Sequence, residues 1–369
     1  MNILMVTPHL PPHQAANALL PHLLGEGLAQ RGHSVQFLTF GPPAGAQGVS
    51  YVRRRSRRLR VTRIPQALEA VETWVRARPL IARADVVHVH SSTWMNYVAA
   101  RLAVSGGKPY VLTHYGTEIW HHDGRDAAFR RFNRDARHVA FYSRALMERA
   151  GALAVPVRAG SVIYPPVADS FRPMLPRQRE AVHRRYAPSG GPLLLNVKRL
   201  HPLADHHTLL RAMEDVVRAR PDAMLLIAGA GEERAALEAF AARRGLSESV
   251  RFLGLVPNDE VAVLQGGADL FVLSSVLEAT PTVALEALAC GTPVVSTDNP
   301  GGIELHETFE EDVEVVPRED APALARAILR FLADPRRTRP SSVRCIEERF
   351  RLPGVVDRYL ALYREAVGH

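Results

Sequence analysis

Short runs rich in Val, Leu and Ile recur along the chain, each followed by a longer stretch in which apolar residues return every three to four positions. That alternation predicts parallel strands joined by crossover helices. In the first half the runs place strands at 2–6, 34–39, 85–89, 109–113, 138–142 and 161–164. A first helix at 16–31 is closed by Gly32. In the second half strands fall at 192–197, 223–228, 250–253, 269–274, 293–296 and 313–316, with amphipathic helices such as 206–219 and 232–244 between them. The same α/β pattern is thus written twice. Between the copies, YPPVADSFRPMLP and APSGGP interrupt the periodicity with Pro and Gly, which predicts a hinge within 165–191. A chain of 369 residues exceeds what one core ordinarily supports, so two domains are expected. They are 1–170 and 171–352, with a last helix over 353–369.

Composition narrows the class. With 47% hydrophobic and 23% charged residues the chain reads as an ordinary soluble globular protein. No apolar run reaches the ~18 residues of a membrane span. The N-terminus lacks the charged and apolar regions of a secretory signal, so a cytoplasmic location is expected. Cys290 and Cys345 have no pair spacing, which excludes a cysteine-based metal site. The net charge of +8 is unevenly spread. Residues 1–170 hold 21 Lys+Arg against 10 Asp+Glu, and the remainder hold 25 against 28. Lys108 and Lys198 are the only lysines. The run YVRRRSRRLRVTR concentrates Arg53, Arg54, Arg55, Arg57, Arg58, Arg60 and Arg63. It reads equally as a solvated loop or as a peripheral contact with an anionic membrane at its inner face. No aromatic residues interleave with the arginines, which argues against nucleic acid.

Open parallel sheets bind ligands at the carboxyl ends of their strands, so the strand-to-helix loops are the place to look. The strongest signal is DLFVLSSVLEATPTVALEALACGTPVV. After the strand at 269–274 a loop carries Glu278. Thr280 is the expected N-cap, Pro281 the first helical residue and Gly291 the close. The amides of Thr282 and Val283 would then face an anion such as a pyrophosphate, with Glu278 and Glu286 on either side to accept from hydroxyls. The plain alternative is a proline-started core helix with two exposed glutamates.

Glu278 and Glu286 with seven residues between them, followed by EALACGTPVVSTDNPGGIE, resemble the signature of glycosyltransferase family 4, also called glycosyl transferases group 1. MNILMVTPHLPP, RGHSVQFLT, DVVHVH, YVLTHYGTE, SVRFLGLVP and the closing RYLALYREA fall in the family's order over some 350 residues. The resemblance implies a GT-B fold: two Rossmann-like domains with parallel sheets facing across a cleft, and a closing helix that returns to the first. It implies a retaining, metal-independent hexosyltransferase that moves a sugar from a UDP- or GDP-sugar to a hydroxyl acceptor, which could be lipid-linked, a polysaccharide or a small glycoside. No cofactor is implied, since the nucleotide sugar is a co-substrate.

Position by position, the resemblance assigns Glu278 to the donor sugar, Glu286 to the ribose and Arg199 to the diphosphate. The family's lysine falls on Ala204, so Lys198 is the candidate replacement. Gly229 and Gly231 would bring backbone near the nucleotide, and Val256 completes the donor side. Two glycines without a third read equally as a simple turn. His114 is implied to face the transferred sugar, with Gln14, Ala15, Ala16, Thr113 and Glu118 on the acceptor side. A structural imidazole is the competing reading for His114. Relatives carry paired glycines where Ala15 and Ala16 stand, so acceptor identity does not transfer. His88 and His90 share a strand face and could join His114 at a metal only if all three converged. Two other classes remain: a sugar-nucleotide epimerase or hydrolase of similar fold, and a non-catalytic protein that binds anionic surfaces.

Overall fold

The computed structural model describes residues 1–11, 16–40, 48–52 and 64–368. Gln14, Ala15 and the run Arg53–Arg63 lie outside the described residues. The chain divides into two compact units, Met1–Pro166 with Leu352–His369, and Val167–Arg351.

Among the described residues the first unit carries seven strands: β1 (Asn2–Thr7), β2 (Ser34–Phe40), β3 (Val49–Val52), β4 (Val86–His90), β5 (Tyr110–His114), β6 (His138–Phe141) and β7 (Gly160–Val162). All pairings are parallel and the order is β3-β2-β1-β4-β5-β6-β7. Strand β3 was not expected from the pattern. It is four residues at the sheet edge, too short to show a period. Alternate residues of each strand enter different cores. Leu4, Val6, Val87, Val89 and Leu112 bury on one face; Ile3, Met5, Val86 and Val111 bury on the other, beneath the helix Leu352–Val367. Both faces are covered, which is why the strands read as continuous apolar runs. The returning helix is held by Val355, Val356 and Tyr359 in the core and by Arg31, which reaches Asp357 at 3.1 Å.

The second unit carries β8 (Leu193–Val197), β9 (Met224–Ala228), β10 (Val250–Gly254), β11 (Leu270–Leu273), β12 (Val294–Thr297) and β13 (Val313–Val316) in the order β10-β9-β8-β11-β12-β13. This is the doubly wound Rossmann order. The direction of winding reverses between β8 and β11, so the loops after those two strands flank the crevice where such sheets take ligands. Its core gathers Leu194, Leu225, Ile227 and Val272 from the strands with Leu209, Met213, Leu324 and Ile328 from covering helices.

Two glycines fix the loop after β9. A Cβ on Gly229 would lie 1.9 Å from the Lys198 carbonyl oxygen, and one on Gly231 would lie 2.1 Å from that of Leu200. Their absence lets the ladder continue past the strand ends, with the Lys198 amide donating to Ala228 and the Leu200 amide to Ala230. The glycines therefore hold the backbone of Lys198–Leu200 in place. Gly231→Ala is expected to destabilise the second unit by about 1–3 kcal/mol through overpacking. A urea midpoint unchanged by far-ultraviolet circular dichroism would disprove this.

Candidate functional site

In the second unit Lys198 and Glu278 emerge from the loops after β8 and β11, adjacent strands at the winding reversal. Lys198 Nζ lies 2.5 Å from Glu278 Oε1, and the two side chains are 26% and 11% exposed. Arg199 points elsewhere. Its guanidinium is 72% exposed and meets Glu232 at 3.2 Å. Lys198 is thus the cation brought to Glu278. Ala204 is buried in a 3-10 turn whose carbonyl accepts from Ser274 Oγ at 2.8 Å.

The loop bearing Glu278 is clamped by the helix that follows β12, Pro300–Phe309. The Gly301 amide donates to the Glu278 carbonyl at 3.0 Å, and a Cβ on Gly301 would fall 2.6 Å from Pro281 Cδ. Asn299 caps that helix through the Gly302 amide and also donates to Ser275 and Thr297. Ser275 Oγ is buried without a protein partner. A lone serine in a loop carries no spacing signal in the sequence.

The helix after this loop runs Thr282–Ala289 and begins later than expected. Pro281, with ψ 86, is its N-cap and makes no side-chain cap bond. Thr280 is not the cap: its carbonyl accepts the Thr282 amide at 3.0 Å. One of the two amides assigned to an anion is therefore already used, and Val283 supplies the remaining one. Gly291 closes the helix with φ +79, as a left-handed C-terminal residue should. Glu286 sits half-buried in this helix. Burial pushes its carboxyl up to about 7. Val256 is half-buried in the turn after β10.

In the first unit His114 is fully buried at the end of β5. Asn133 donates from Nδ2 to the Phe129 carbonyl at 2.9 Å, which turns its Oδ1 toward His114 Nε2, 2.7 Å away. That arrangement puts a ring proton on Nε2. Nδ1 has no hydrogen-bond partner and faces Glu118 Oε1 at 3.7 Å. Burial alone would raise the Glu118 carboxyl. The adjoining His114 ring and the Glu118 and Tyr115 amides outweigh burial and leave it below the usual carboxylate range. Asn133, for which the sequence carries no motif, is what fixes the imidazole.

Thr113 points to the opposite face of the sheet. Its hydroxyl bonds to His88 Nε2 at 2.8 Å and to Tyr359 at 3.2 Å, and His88 Nδ1 meets Tyr363 at 2.6 Å. Thr113 therefore joins the strands to the returning helix and is not on an acceptor surface. His88 and His90 share that face, with burial holding His88 at about 3. The register pairs His90 with Thr113, so His114 lies across the sheet from both and the three cannot converge. Among the described residues no His, Cys, Asp and Glu cluster could hold a metal. Ala16 opens the helix Ala16–Gln30.

Two solved structures superpose over nearly the whole chain. HepE of Anabaena in complex with UDP is 18% identical with a TM-score of 0.80, covering 99% of this chain and 100% of that one. Sucrose-phosphate synthase of Thermosynechococcus elongatus is 21% identical with a TM-score of 0.77, covering 100% and 99%. Two Rossmann-like sheets, with a lysine and a glutamate at the winding reversal of the second, are the arrangement of the GT-B fold. Residues 22–171 match the family model for Glycosyltransferase Family 4 and residues 178–349 that for Glycosyl transferases group 1. A GDP-mannose-dependent alpha-(1-6)-phosphatidylinositol monomannoside mannosyltransferase of Mycolicibacterium smegmatis is 30% identical over 91% of this chain and 90% of its own length. A 2-deoxystreptamine N-acetyl-D-glucosaminyltransferase of Streptomyces fradiae is 28% identical over 94% and 89%. The chain belongs to glycosyltransferase family 4.

Proposed function

We propose that the chain transfers a hexose from a GDP- or UDP-sugar to a hydroxyl of a ring acceptor with retention at the anomeric carbon and without a metal. The observation that carries this is the Lys198–Glu278 pair beside the winding reversal of the second unit. Glu278 takes sugar hydroxyls, Glu286 the ribose, and Lys198 and the Val283 amide the diphosphate, with Val256 beside the base. The acceptor oxygen bonds to the anomeric carbon as the bond to the β-phosphate oxygen breaks, and the acceptor's proton leaves on the departing diphosphate. His114 acts through Glu118 and does not touch the sugar. The M. smegmatis relative makes GDP-mannose the first donor to try. Proton NMR of the first-formed glycoside is expected to show the donor's own anomeric configuration, with turnover unchanged by EDTA. An inverted linkage, or activity lost to EDTA and restored by one divalent ion, would overturn the proposal.

We infer also that the first unit meets anionic membrane. No helix among the described residues is long and apolar enough to cross a bilayer. The helix Ile64–Arg83, which follows the arginine run, exposes Leu68, Val71, Trp74 and Val75, with the Arg78 guanidinium over Trp74 at 5.3 Å. Apolar residues beside cations suit a lipid interface. Changing Arg53, Arg54, Arg55, Arg57 and Arg58 to Ser is expected to weaken salt-sensitive vesicle binding, each well-placed arginine adding up to about 1 kcal/mol. Equal sedimentation of both proteins with anionic vesicles would show the run to be solvated surface.

A further inference from the structure

A cavity of about 420 Å³ opens in the first unit at the carboxyl ends of β4 and β5, where a parallel sheet takes its ligands. Ser92 and Trp94 form one wall, Glu118, His121 and His122 another, and Asp126 closes it at the start of the helix Ala127–Asp135. The first wall is held in a costly conformation. Ser91 has φ 73, a left-handed angle unusual for a serine, and Asn96 fixes it by donating from Nδ2 to the carbonyls of His90 at 2.5 Å and Ser91 at 2.7 Å. The strained turn sets Trp94 at the first position of its helix with 62% of the residue exposed. A large indole left open at a cavity's edge offers an apolar face to a ring.

The charged groups of the lining are the two carboxylates. Glu118 Oε1 accepts the Tyr115 amide at 3.0 Å and Asp126 Oδ1 the Phe129 amide at 2.6 Å, which leaves each carboxylate a second oxygen. His122 Nδ1 accepts the Gly124 amide at 2.8 Å, so its Nε2–H is a donor. Behind Glu118 stands the buried, unpartnered His114 Nδ1, and Thr93 Oγ1 between Ser92 and Trp94 is buried without a partner as well. Among the described residues no lysine or arginine lines this cavity, although residues 1–170 carry 21 of them. A phosphate would meet two carboxylates and no compensating cation.

We infer that this cavity seats the acceptor's ring, and that it selects a hydroxylated ring that is uncharged or bears an amine against one that bears a phosphate. The assignment rests on the glycosyltransferase reading above. The ring's apolar face lies on Trp94, as a cation or a CH-rich face does on an indole. Its hydroxyl or ammonium hydrogens go to the free oxygens of Glu118 and Asp126.

Glucosamine, glucose and glucose 6-phosphate form a matched set with which to test this by saturation-transfer NMR on the full chain, at neutral pH, where the amine is still largely protonated. Glucosamine is expected to bind tightest and glucose 6-phosphate weakest, about tenfold or more apart, the size of one charged hydrogen bond. Trp94→Ala should weaken all three rings. Asp126→Asn keeps the helix cap, since asparagine caps as well as aspartate, and should remove most of the amine's advantage. Equal or tighter binding of the phosphate, no binding of any ring, or indifference to Trp94→Ala would each overturn the inference. Sugar-nucleotide binding in the same samples separates the two levels. Nucleotide binding without ring binding refutes the cavity's role alone; ring binding without nucleotide binding refutes the glycosyltransferase reading.

Discussion

Replacing Lys198 with alanine is expected to lower turnover by roughly 100-fold while changing sugar-nucleotide affinity much less. The ammonium lies 2.5 Å from a Glu278 carboxylate that is itself only 11% exposed. Removing it strands a nearly buried charge and deletes a cation from the loop at the winding reversal. As the glycosidic bond breaks, negative charge grows on the diphosphate, so a fixed cation there stabilises the transition state more than the ground state. Arg199 is not placed to compensate, because its guanidinium is solvent-exposed against Glu232. Steady-state kinetics decide: turnover within about threefold of the parent would show that Lys198 is a local counter-ion of Glu278 and no more. A cycle with Glu278→Gln then separates the two roles, since a purely structural pair loses no more in the double variant than in either single one.

Glu286→Gln should weaken sugar-nucleotide binding by about 1–3 kcal/mol and at the same time make the protein more stable above neutral pH. Burial raises the carboxyl to about 7, and the two effects have that one source. A carboxyl whose folded-state value is raised favours the fold at low pH. That contribution is lost as pH climbs from the ordinary glutamate range through about 7, and glutamine does not lose it. Binding runs the other way. Ribose hydroxyls donate to the carboxylate, so affinity in the parent should fall as pH drops below about 7, by up to about tenfold per unit, and this dependence should vanish in the variant. A sugar nucleotide is the right titrant, because its diphosphate does not titrate in this range. Calorimetry at several pH values checks both limbs. A flat profile in the parent, or unchanged affinity in the variant, would remove Glu286 from the ribose site.

The alternation of apolar runs with helical periods was enough to place twelve of the thirteen strands among the described residues, because a sheet covered on both faces demands strands apolar throughout. Only β3 escaped, since four edge residues carry no period. The places of Glu278 and Lys198, in loops just past their strands, were also legible, because strand-to-helix loops follow directly from the strand positions. The sequence could not say how those residues are paired. Lys198 and Arg199 are neighbours in the chain, yet one meets Glu278 and the other Glu232. Successive residues leave a strand end in different directions, and which one finds a partner depends on a loop 80 residues away. Thr113 and His114 parted for the same reason, one toward Tyr359 and the other toward Asn133. The helix at Thr282 began late, and Gly301 of a helix further along the chain packs close to Pro281, a long-range contact that no local signal records. The cavity beside Trp94 depends on a strained Ser91, on Asn96 and on carboxylates brought in from two further loops. Periodicity and turn chemistry act over a few residues and are written in the sequence. Side-chain direction, charge pairing and enclosure arise only when distant loops meet, and the tertiary structure alone decides them.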